Sequence, residues 1–292
     1  MIYIVIPVFN RLNYTVACIE SLLLQSSRDF KIIIVDDGST DGTINVVQKN
    51  FPEIIVLSTT GNQWWSATMN VGIRYALENE ITPDDFVLSL NNDLVVEPDY
   101  LEELTNIAGL YPRSIVGSIS VDISTRSVEY VGYHWNAYIA SRRTLLQKGL
   151  SLEAIQQSHD FLTTSLLPGR GILIPFSCFK AIGLFDEVLF PHYAGDHDFT
   201  LRAKHAGYEL IISTRAVVLS YVKDTALAAM GKLPVSKYLK QSFTSIKSPL
   251  NIMTRYRWAK RHAASPHLVY FTIDMLRISK SLIMNILKGN RG

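Results

Sequence analysis

The sequence lacks several features that mark particular classes of protein. It has only two cysteines, Cys18 and Cys178, and both lie in apolar periodic segments, which predicts buried thiols rather than a disulfide. No uncharged apolar run approaches the ~20 residues that span a bilayer. The histidines show no zinc-ligand spacing, and there is no internal repeat. A disulfide scaffold, a transmembrane helix, a zinc site and a repeat protein are therefore not expected.

The bulk composition is that of a globular protein with a sizeable core. The chain has 292 residues, of which 48% are hydrophobic and 18% charged, enough for one large or two small domains. Residues 1–6 are mostly apolar and are followed by Pro7, with no basic region and no small-residue cleavage site, so they predict a first strand rather than a signal peptide. We therefore expect a cytoplasmic protein.

Acidic residues are almost missing from the C-terminal part. Residues 232–292 contain twelve Lys or Arg and a single acid, Asp274, a balance of +11, whereas residues 1–231 carry −9. A solvated helical face is the common explanation, but here the basic residues alternate with large apolar ones, which also suits an anionic membrane or another subunit. Nucleic acid is not expected, because the acidic remainder repels phosphates. We predict a basic helical extension over 225–292 that mediates peripheral contact with the inner face of the plasma membrane, or a homo-oligomer.

Apolar strands alternate with helical segments through the first hundred residues. Strands are predicted at 2–6, 31–35, 54–57 and 86–90, and helices at 14–24, at a segment running through 47 and at 66–78, with Asn13 and Ser66 as caps. This alternation predicts a parallel sheet with right-handed crossovers. Ligands of such sheets bind beyond the carboxyl ends of the strands. The polar clusters 36–37, 62–65 and 91–93, which follow three strands, are therefore expected to share one crevice.

The second half has a different pattern. Strands are predicted at 115–120, 128–133, 172–176, 210–212 and 217–219, and a helix at 196–206 that ends before Gly207. Residues 141–163 are polar and are predicted to form an irregular, mobile insertion. Residues from about 235 onward are predicted to be helical, and a boundary is expected near residue 224.

Two acidic clusters carry the chemistry that the sequence suggests. A buried strand stops at Asn91-Asn92-Asp93, and Asp196 and Asp198 open a helical pattern about a hundred residues later. A hard cation prefers oxygen ligands, which Asp93 supplies and which Asn91 would add through its amide carbonyl. Asp196 is a candidate proton acceptor. The structural alternatives are a strand-end loop acid and, for Asp196 and Asp198, acids that complement a helix dipole.

A series of motifs in a fixed order resembles a known family. They are residues 6–11, residues 35–43, Asn62 with Asn70 and Gly72, residues 91–93 with Pro98-Asp99, residues 171–175, residues 183–187, and residues 196–199 through Arg202 and Gly207. Together they resemble the family 2 inverting glycosyltransferases of the GT-A fold, over about residues 1–220. Within the family, the pattern is similar to the rhamnosyl- and galactofuranosyl-type transferases of bacterial surface polysaccharides.

The resemblance implies an α/β fold, with a Rossmann-like, mainly parallel sheet flanked by helices and a C-terminal helical extension. A domain over 1–224 would divide into a nucleotide-binding half, about 1–100, and an acceptor half, about 101–224. The substrates would be a nucleotide-sugar donor and a glycan or lipid-linked acceptor, and the cofactor Mg²⁺ or Mn²⁺. The transfer would proceed by one in-line displacement with inversion.

The predicted site residues fall into four groups. Asp196 would be the general base, and Asp93, with Asn91 as a further ligand, would bind the metal. The residues predicted at the donor are Pro7, Val8, Phe9, Asn10, Asp37, Asn62, Trp65 and Asn92. The residues predicted at the acceptor are Arg170, Trp64 and Asp198.

Several of these assignments have structural alternatives. Trp64 and Trp65 would be core aromatics if they do not line the cleft. Arg170 would be a strand-entry arginine paired with a surface acid, and Asp198 a structural carboxylate. The Asp36-Asp37 pair would be a turn with capping acids.

The sequence departs from the family pattern at three positions, all of which bear on the chemistry. Asn91 stands where an acid is usual, Gly195 where a Glu is frequent, and Tyr221 where many relatives have a metal-binding His. The metal would then bind weakly, only with the donor, or not at all. Two rival functions stay open: a nucleotidyltransferase, although the first loop lacks the glycine- and lysine-rich sequence expected for a triphosphate, and a non-catalytic glycan- or nucleotide-binding module.

Overall fold

A central sheet of ten strands, counted among the residues that can be described, organises the chain. The structure is a computed structural model and describes residues 1–79, 82, 84–221 and 233–287, so the boundary expected near residue 224 lies outside the described residues. In chain order the elements are β1 (Ile2–Val8), α1 (Leu12–Leu23), β2 (Phe30–Asp36), α2 (Thr43–Asn50), β3 (Ile55–Ser58), α3 (Trp64–Glu78), β4 (Phe86–Ser89), β5 (Leu94–Val96), α4 (Tyr100–Leu110), β6 (Ser114–Asp122), β7 (Val128–Tyr130), β8 (Tyr133–Asn136), β9 (Ser141–Thr144), α5 (Leu152–Ser158), β10 (Phe161–Thr163), β11 (Ile172–Pro175), α6 (Phe176–Ile182), α7 (Gly195–His205), β12 (Glu209–Ser220), α8 (Val235–Thr244), α9 (Ile252–His262) and α10 (His267–Leu287).

One half of the sheet is parallel, as the alternation of strands and helices predicts. The strands β4, β1, β2 and β3 lie side by side in parallel register, with Val5 opposite Ile33 on one side and Ser89 on the other. Successive residues of β1 enter different cores: Val5 packs on one face with α3 and α7, and Ile4 on the other with α1, α2 and α4. The carboxyl ends of these strands therefore meet at one edge.

Close packing of α3 on the sheet fixes where this helix begins. Gly72 faces the sheet, and a Cβ at this position would lie 2.9 Å from Cγ2 of Val35. The absence of a side chain lets the helix backbone approach β1 and β2 closely. The first residues of α3, which follow the polar loop after β3, are thereby held at the carboxyl edge of the sheet.

The other half of the sheet is mixed. β11 pairs antiparallel with both β4 and β6, and β6 pairs parallel with β12. The two short strands predicted at 210–212 and 217–219 are parts of the single strand β12. A register shift between Ser213 and Val217 interrupts its pairing with β6, which explains the break in the sequence pattern.

The prediction of an irregular insertion at residues 141–163 is wrong. This segment contains β9, α5 and β10. Ser151 caps α5 by accepting a hydrogen bond from the amide of Ala154 at 3.2 Å, and Ile155 is buried. β9 and β10 are short, with four and three residues, and each pairs at an edge, so they leave little apolar alternation to detect.

Two helix caps also differ from the prediction. α1 begins at Leu12 rather than after Asn13, because Arg11 adopts the left-handed conformation (φ 66°) and the amide of Leu12 donates to Asp41 Oδ2 at 3.0 Å. Ser66 lies inside the first turn of α3, where its hydroxyl donates to the carbonyl of Phe190 at 2.6 Å. A local cap is thus replaced by a tertiary contact in both cases.

The C-terminal helices pack against the rest of the chain. The helical prediction is confirmed over 235–244, 252–262 and 267–287. Trp258 and Tyr270 share an apolar cluster with Leu166, Phe190 and Leu201. Among the described residues, no helix combines the length and the apolar composition needed to cross a membrane.

Candidate active site

Asp37 connects the ends of β2 and β3. Its carboxylate accepts hydrogen bonds from the hydroxyl of Thr59 at 2.7 Å, from the amide of Gln63 at 3.0 Å and from the amide of Trp64 at 3.2 Å. The side chain is only 9% exposed. A carboxylate that accepts several backbone N–H groups fixes the loop that donates them. Asp37 therefore sets the position of the loop in front of α3.

The loop after β1 is fixed against the loop after β2. The amide of Asn10 donates to the hydroxyl of Ser39 at 2.7 Å, and the Asn10 side chain accepts from the amide of Thr40 at 2.9 Å. Pro7 and Val8 belong to β1, whereas Phe9 is 53% exposed. Of the predicted first-loop residues, Phe9 is therefore the one that presents a large side chain to solvent at this edge.

The three polar residues just beyond β4, Asn91 to Asp93, point in different directions. The indole N–H of Trp65 donates to Asn91 Oδ1 at 3.0 Å. The Asn92 amide is buried and donates to the hydroxyl of Thr15 at 3.0 Å, which turns it toward α1 and away from the cleft. Asp93 Oδ2 forms an ion pair with Arg11 Nη1 at 2.7 Å.

These oxygen atoms do not form a donor set for a divalent cation. Mg²⁺ and Mn²⁺ take several oxygen ligands. The amide oxygen of Asn91 already accepts from Trp65, and the guanidinium of Arg11 already neutralises Asp93. Within the described parts of the chain, no three His, Cys, Asp or Glu side chains gather into a cluster that could hold a metal ion. The residues present therefore do not fit a metal ion held by this chain alone.

Asp196 lies in the first turn of α7, on the other side of Trp65. Its Oδ2 accepts from the amide of Gly169 at 2.8 Å, and its Oδ1 from the amide of His197 at 2.8 Å. A Cβ on Gly169 would lie 2.6 Å from Cη2 of Trp65 and 3.3 Å from Cβ of Asp196. A glycine at this position leaves room for both the indole of Trp65 and the side chain of Asp196.

The predicted clusters are therefore contiguous. Asp37 holds the amide of Trp64, the neighbouring Trp65 binds Asn91, and Trp65 and Asp196 both contact Gly169. Asn62 is exposed in the same loop. Hydrogen bonds thus connect the three predicted clusters at the carboxyl ends of the parallel strands, and the N-terminus of α7 lies beside them.

Arg170 and Asp198 have partners other than those expected. Arg170 donates to the hydroxyl of Ser220 and not to a surface acid. Asp198 is 0% exposed; its oxygens accept from Arg202 Nε at 2.9 Å and from His262 Nε2 at 2.8 Å, and Arg261 Nε lies 3.2 Å away in an ion pair. An acceptor has no access to this carboxylate, so the structural interpretation of Asp198 fits and the acceptor assignment does not.

Three residues of this site were not predicted from the sequence. Arg11, Gly169 and His192 have no assigned role there, although the Gly-Arg-Gly sequence at 169–171 was a usable signal. The Nδ1 atom of His192 is buried and has no hydrogen-bond partner in the described structure. Burial lowers the pKa of His192 to about 4, and the charge of Lys247 acts in the same direction. Burial also lowers the pKa of His197 to about 4, so both rings are neutral at pH 7.

These two histidines predict that stability falls in mild acid. Their pKa values are near 4 in the folded chain and near 6.5 when unfolded, so between these values the unfolded chain binds more protons. The free energy of unfolding should therefore decrease as the pH falls from about 6.5 to about 4. Urea unfolding at several pH values measures this free energy. A His192→Asn, His197→Asn variant with an unchanged pH slope would contradict this assignment.

Comparisons with known proteins agree with the motifs. A family model described as glycosyl transferase family 2 matches residues 3–173, more than half of the chain. The chain belongs to glycosyl transferase family 2. This confirms the family predicted from the motifs.

Within this family, the chain is 27% identical over 243 residues to an uncharacterized glycosyltransferase of Rickettsia prowazekii, covering 78% of this chain and 67% of that protein. It is 32% identical over 105 residues to the chondroitin synthase of Escherichia coli, covering 35% of this chain and 14% of that enzyme. This family 2 chain therefore matches only part of each relative's length.

A solved structure supports the fold. The family 2 chain superposes on a mannosyltransferase of Pyrobaculum calidifontis in complex with GDP-Man and Mn²⁺, with a TM-score of 0.59 and 14% identity, over 98% of this chain and 75% of that one. At this identity the likeness concerns the fold alone, and it confirms the predicted α/β GT-A architecture.

Proposed function

We propose that this family 2 chain transfers a sugar from a nucleotide-sugar donor to a hydroxyl of a glycan or lipid-linked acceptor, with inversion, and that Asp196 is the base. The observation that supports it best is the contact of Gly169 with both Trp65 and Asp196, because it puts a carboxylate beside the edge where the strand ends meet. The chondroitin synthase relative favours a role in polysaccharide synthesis. A bacterial cell-surface polysaccharide, built from rhamnosyl or galactofuranosyl donors, is the narrower form of the proposal.

The chemistry follows from the two sides of the cleft. The acceptor hydroxyl loses its proton to Asp196, whose two backbone N–H partners hold the carboxylate in one orientation. Attack from this side expels the nucleoside diphosphate on the opposite side, which inverts the configuration at the sugar C1. The guanidinium of Arg11, paired with Asp93, lies at the strand edge to which we assign the leaving diphosphate. No step here passes through a metal ion, because the donor set does not fit one.

The metal requirement gives a direct prediction. In the presence of EDTA, a nucleoside diphosphate should still raise the melting temperature of the protein, because Arg11 and not a cation faces Asp93. In Arg11→Ala, Asp93 loses this partner, so the stabilisation should become dependent on Mn²⁺. Thermal-shift measurements with UDP, GDP and dTDP, with and without Mn²⁺, give the stabilisation of the native protein and of Arg11→Ala. Stabilisation of the native protein that vanishes in EDTA and returns with Mn²⁺ would show that Asp93 serves a metal.

The same measurement with nucleotide sugars tests the function. A transferase should be stabilised by one nucleotide sugar above the rest and should release its nucleoside diphosphate when the acceptor is added. A nucleotidyltransferase would instead be stabilised by a nucleoside triphosphate and release pyrophosphate. A binding module would be stabilised without any product. No stabilisation by any nucleotide or nucleotide sugar would contradict the proposal.

An anionic bilayer is the partner that we propose for α10. This helix exposes apolar side chains along its length: Leu268, Val269, Leu276, Ile283 and Met284. The segment 232–292 has a net charge of +11. Exposed apolar residues on such a segment suit the inner leaflet of the plasma membrane, where the charge is negative. Membrane contact would also bring the active site to a lipid-linked acceptor.

Vesicle co-sedimentation tests this contact. The protein should bind vesicles that contain phosphatidylglycerol and not vesicles of phosphatidylcholine alone. Leu276→Glu, Ile283→Glu should abolish binding, whereas Leu110→Glu, an exposed leucine at the end of α4, should not. Vesicle binding that survives the α10 changes, or a dimer that these changes dissociate, would assign the face to something other than lipid.

A further inference from the structure

Trp64, which the sequence assigns to the acceptor, lies beside two residues that it assigns no role, His192 and Lys247. The rings of Trp64 and His192 are 5.7 Å apart between centroids, with an interplanar angle of 66°. Lys247 Nζ lies 5.7 Å from the centroid of the Trp64 ring. The three residues come from the start of α3, the loop before α7 and the segment between α8 and α9. They form what we call the Trp64 cluster.

The ring of Trp64 is held at the surface of the cleft. Trp64 has a left-handed backbone conformation (φ 64°), which is unfavourable for a bulky residue and persists only where the surroundings impose it. Asp37 accepts from its amide, and its carbonyl accepts from the hydroxyl of Thr68 at 2.6 Å. The neighbouring Trp65 turns toward Asn91 and Gly169 instead. This unfavourable backbone conformation keeps the Trp64 ring apart from the apolar core.

His192 has a hydrogen-bonding atom without a partner. Its Nδ1 is buried and unpaired in the described structure, whereas buried polar atoms in native proteins nearly always have a partner. The pKa of about 4 keeps the imidazole neutral, with one nitrogen as donor and the other as acceptor. His192 lies in the loop that leads into α7, whose first turn carries Asp196. A hydroxyl of a ligand bound near the base would satisfy Nδ1.

Lys247 provides a positive charge in the same place. Its side chain is exposed, and it forms no ion pair with a carboxylate of the described residues. An ammonium group that is not neutralised is suited to an anionic ligand group. The flat ring of Trp64 suits the apolar face of a sugar. The cluster thus combines one group for a sugar face, one for a hydroxyl and one for an anion.

We infer that the Trp64 cluster is the subsite for the acceptor and that the acceptor is a sugar bearing an anionic group, a phosphate or a carboxylate. This inference rests on the proposed function and names its acceptor class. The donor diphosphate is assigned to the other side of Trp65, at the ends of β1 and β4, where Arg11 lies. The cluster is on the side of the base, where the incoming hydroxyl must bind.

Binding of small probes to the full chain tests the subsite. Saturation-transfer NMR titrations would use glucose 1-phosphate, glucuronic acid and the neutral methyl glucoside. At least one anionic probe should bind more tightly than methyl glucoside, and the better of the two identifies phosphate or carboxylate. Lys247→Ala should weaken that probe about tenfold or more and leave methyl glucoside unchanged, because it removes one charge-assisted hydrogen bond. Lys247→Arg should restore most of the affinity.

The controls separate this inference from the proposed function. Lys237→Ala, at an exposed lysine of α8, should bind every probe as the native protein does. Trp64→Ala should weaken all three sugars. Stabilisation by UDP, GDP or dTDP should be the same in the Lys247 variants as in the native chain. If nucleotide stabilisation is present but the native protein does not prefer an anionic probe, or if Lys247→Ala does not change that preference, the subsite is wrong while the transferase proposal stands.

Discussion

Asp196→Asn is expected to lower the rate of sugar transfer by about 10²–10⁴-fold, the usual contribution of a positioned general base. Asparagine has nearly the same shape, and its amide oxygen can still accept from the amide of Gly169 as the carboxylate does at 2.8 Å. It cannot take a proton from the acceptor hydroxyl. Donor binding should change little, because the donor is assigned to the ends of β1, β2 and β4.

The measurement needs two readouts on the same variant. Release of nucleoside diphosphate in the presence of acceptor reports turnover, and thermal stabilisation by the nucleotide reports donor binding. Asp84→Asn, at an exposed position before β4, is the matched control and should keep the native rate. Asp196→Asn with transfer within tenfold of the native rate would mean that another group takes the proton. Loss of nucleotide stabilisation as well as turnover would mean that Asp196 organises the cleft and is not simply its base.

The parallel half of the sheet and the location of the site could be predicted from the sequence. Strands such as β1 and β2 carry β-branched residues on both faces, and the polar residues Asn10 and Asp37 come just beyond their carboxyl ends. Parallel strands have their carboxyl ends on one edge, so Asp37 and Asn91 were expected at the same edge, where the end of β1 separates them. Asp196 could be added because the motif order resembles a family, whereas local periodicity alone would have placed it only at a helix start.

The partners of these residues could not be predicted, because they depend on tertiary packing. The pairing of Asp93 with Arg11 joins two loops that are 82 positions apart, and it gives the predicted metal ligand a cationic partner. The i,i+4 pairing of Asp198 with Arg202 was visible in the helical pattern, whereas His262 lies 64 positions away. Likewise, the polar segment 141–163 has no periodicity of its own, since its strands form edges.

Asp198→Ala is expected to destabilise the protein by about 3–5 kcal/mol, the range for breaking a buried ion pair by removing one partner. The carboxylate is fully buried and faces Arg202 from its own helix, and Arg261 and His262 from α9. Its removal leaves His262 Nε2 and Arg202 Nε without this acceptor, whereas Arg202 keeps the carbonyls of Ile182 and Leu184 and Arg261 keeps Asp186. Because two of the partners belong to α9, the change should also loosen the C-terminal helices from α7, the helix that carries Asp196.

Three variants separate the charge from the packing. Asp198→Asn keeps the shape and one acceptor oxygen, so it should be less destabilising than Asp198→Ala, and His262→Gln should be milder still because Arg202 and Arg261 remain. Asp160→Ala, which removes a largely exposed partner of Arg215 at 3.8 Å, is the control and should cost less than about 1 kcal/mol. Urea unfolding gives the free energies, and sugar transfer measured well below the melting temperature gives the activity. If Asp198→Ala is no more destabilising than Asp160→Ala, then α9 is not coupled to α7 through this carboxylate. A folded Asp198→Ala protein with lowered transfer but native nucleotide stabilisation would show that α9 supports the base, making the basic C-terminal helices part of the catalytic unit rather than an appended extension.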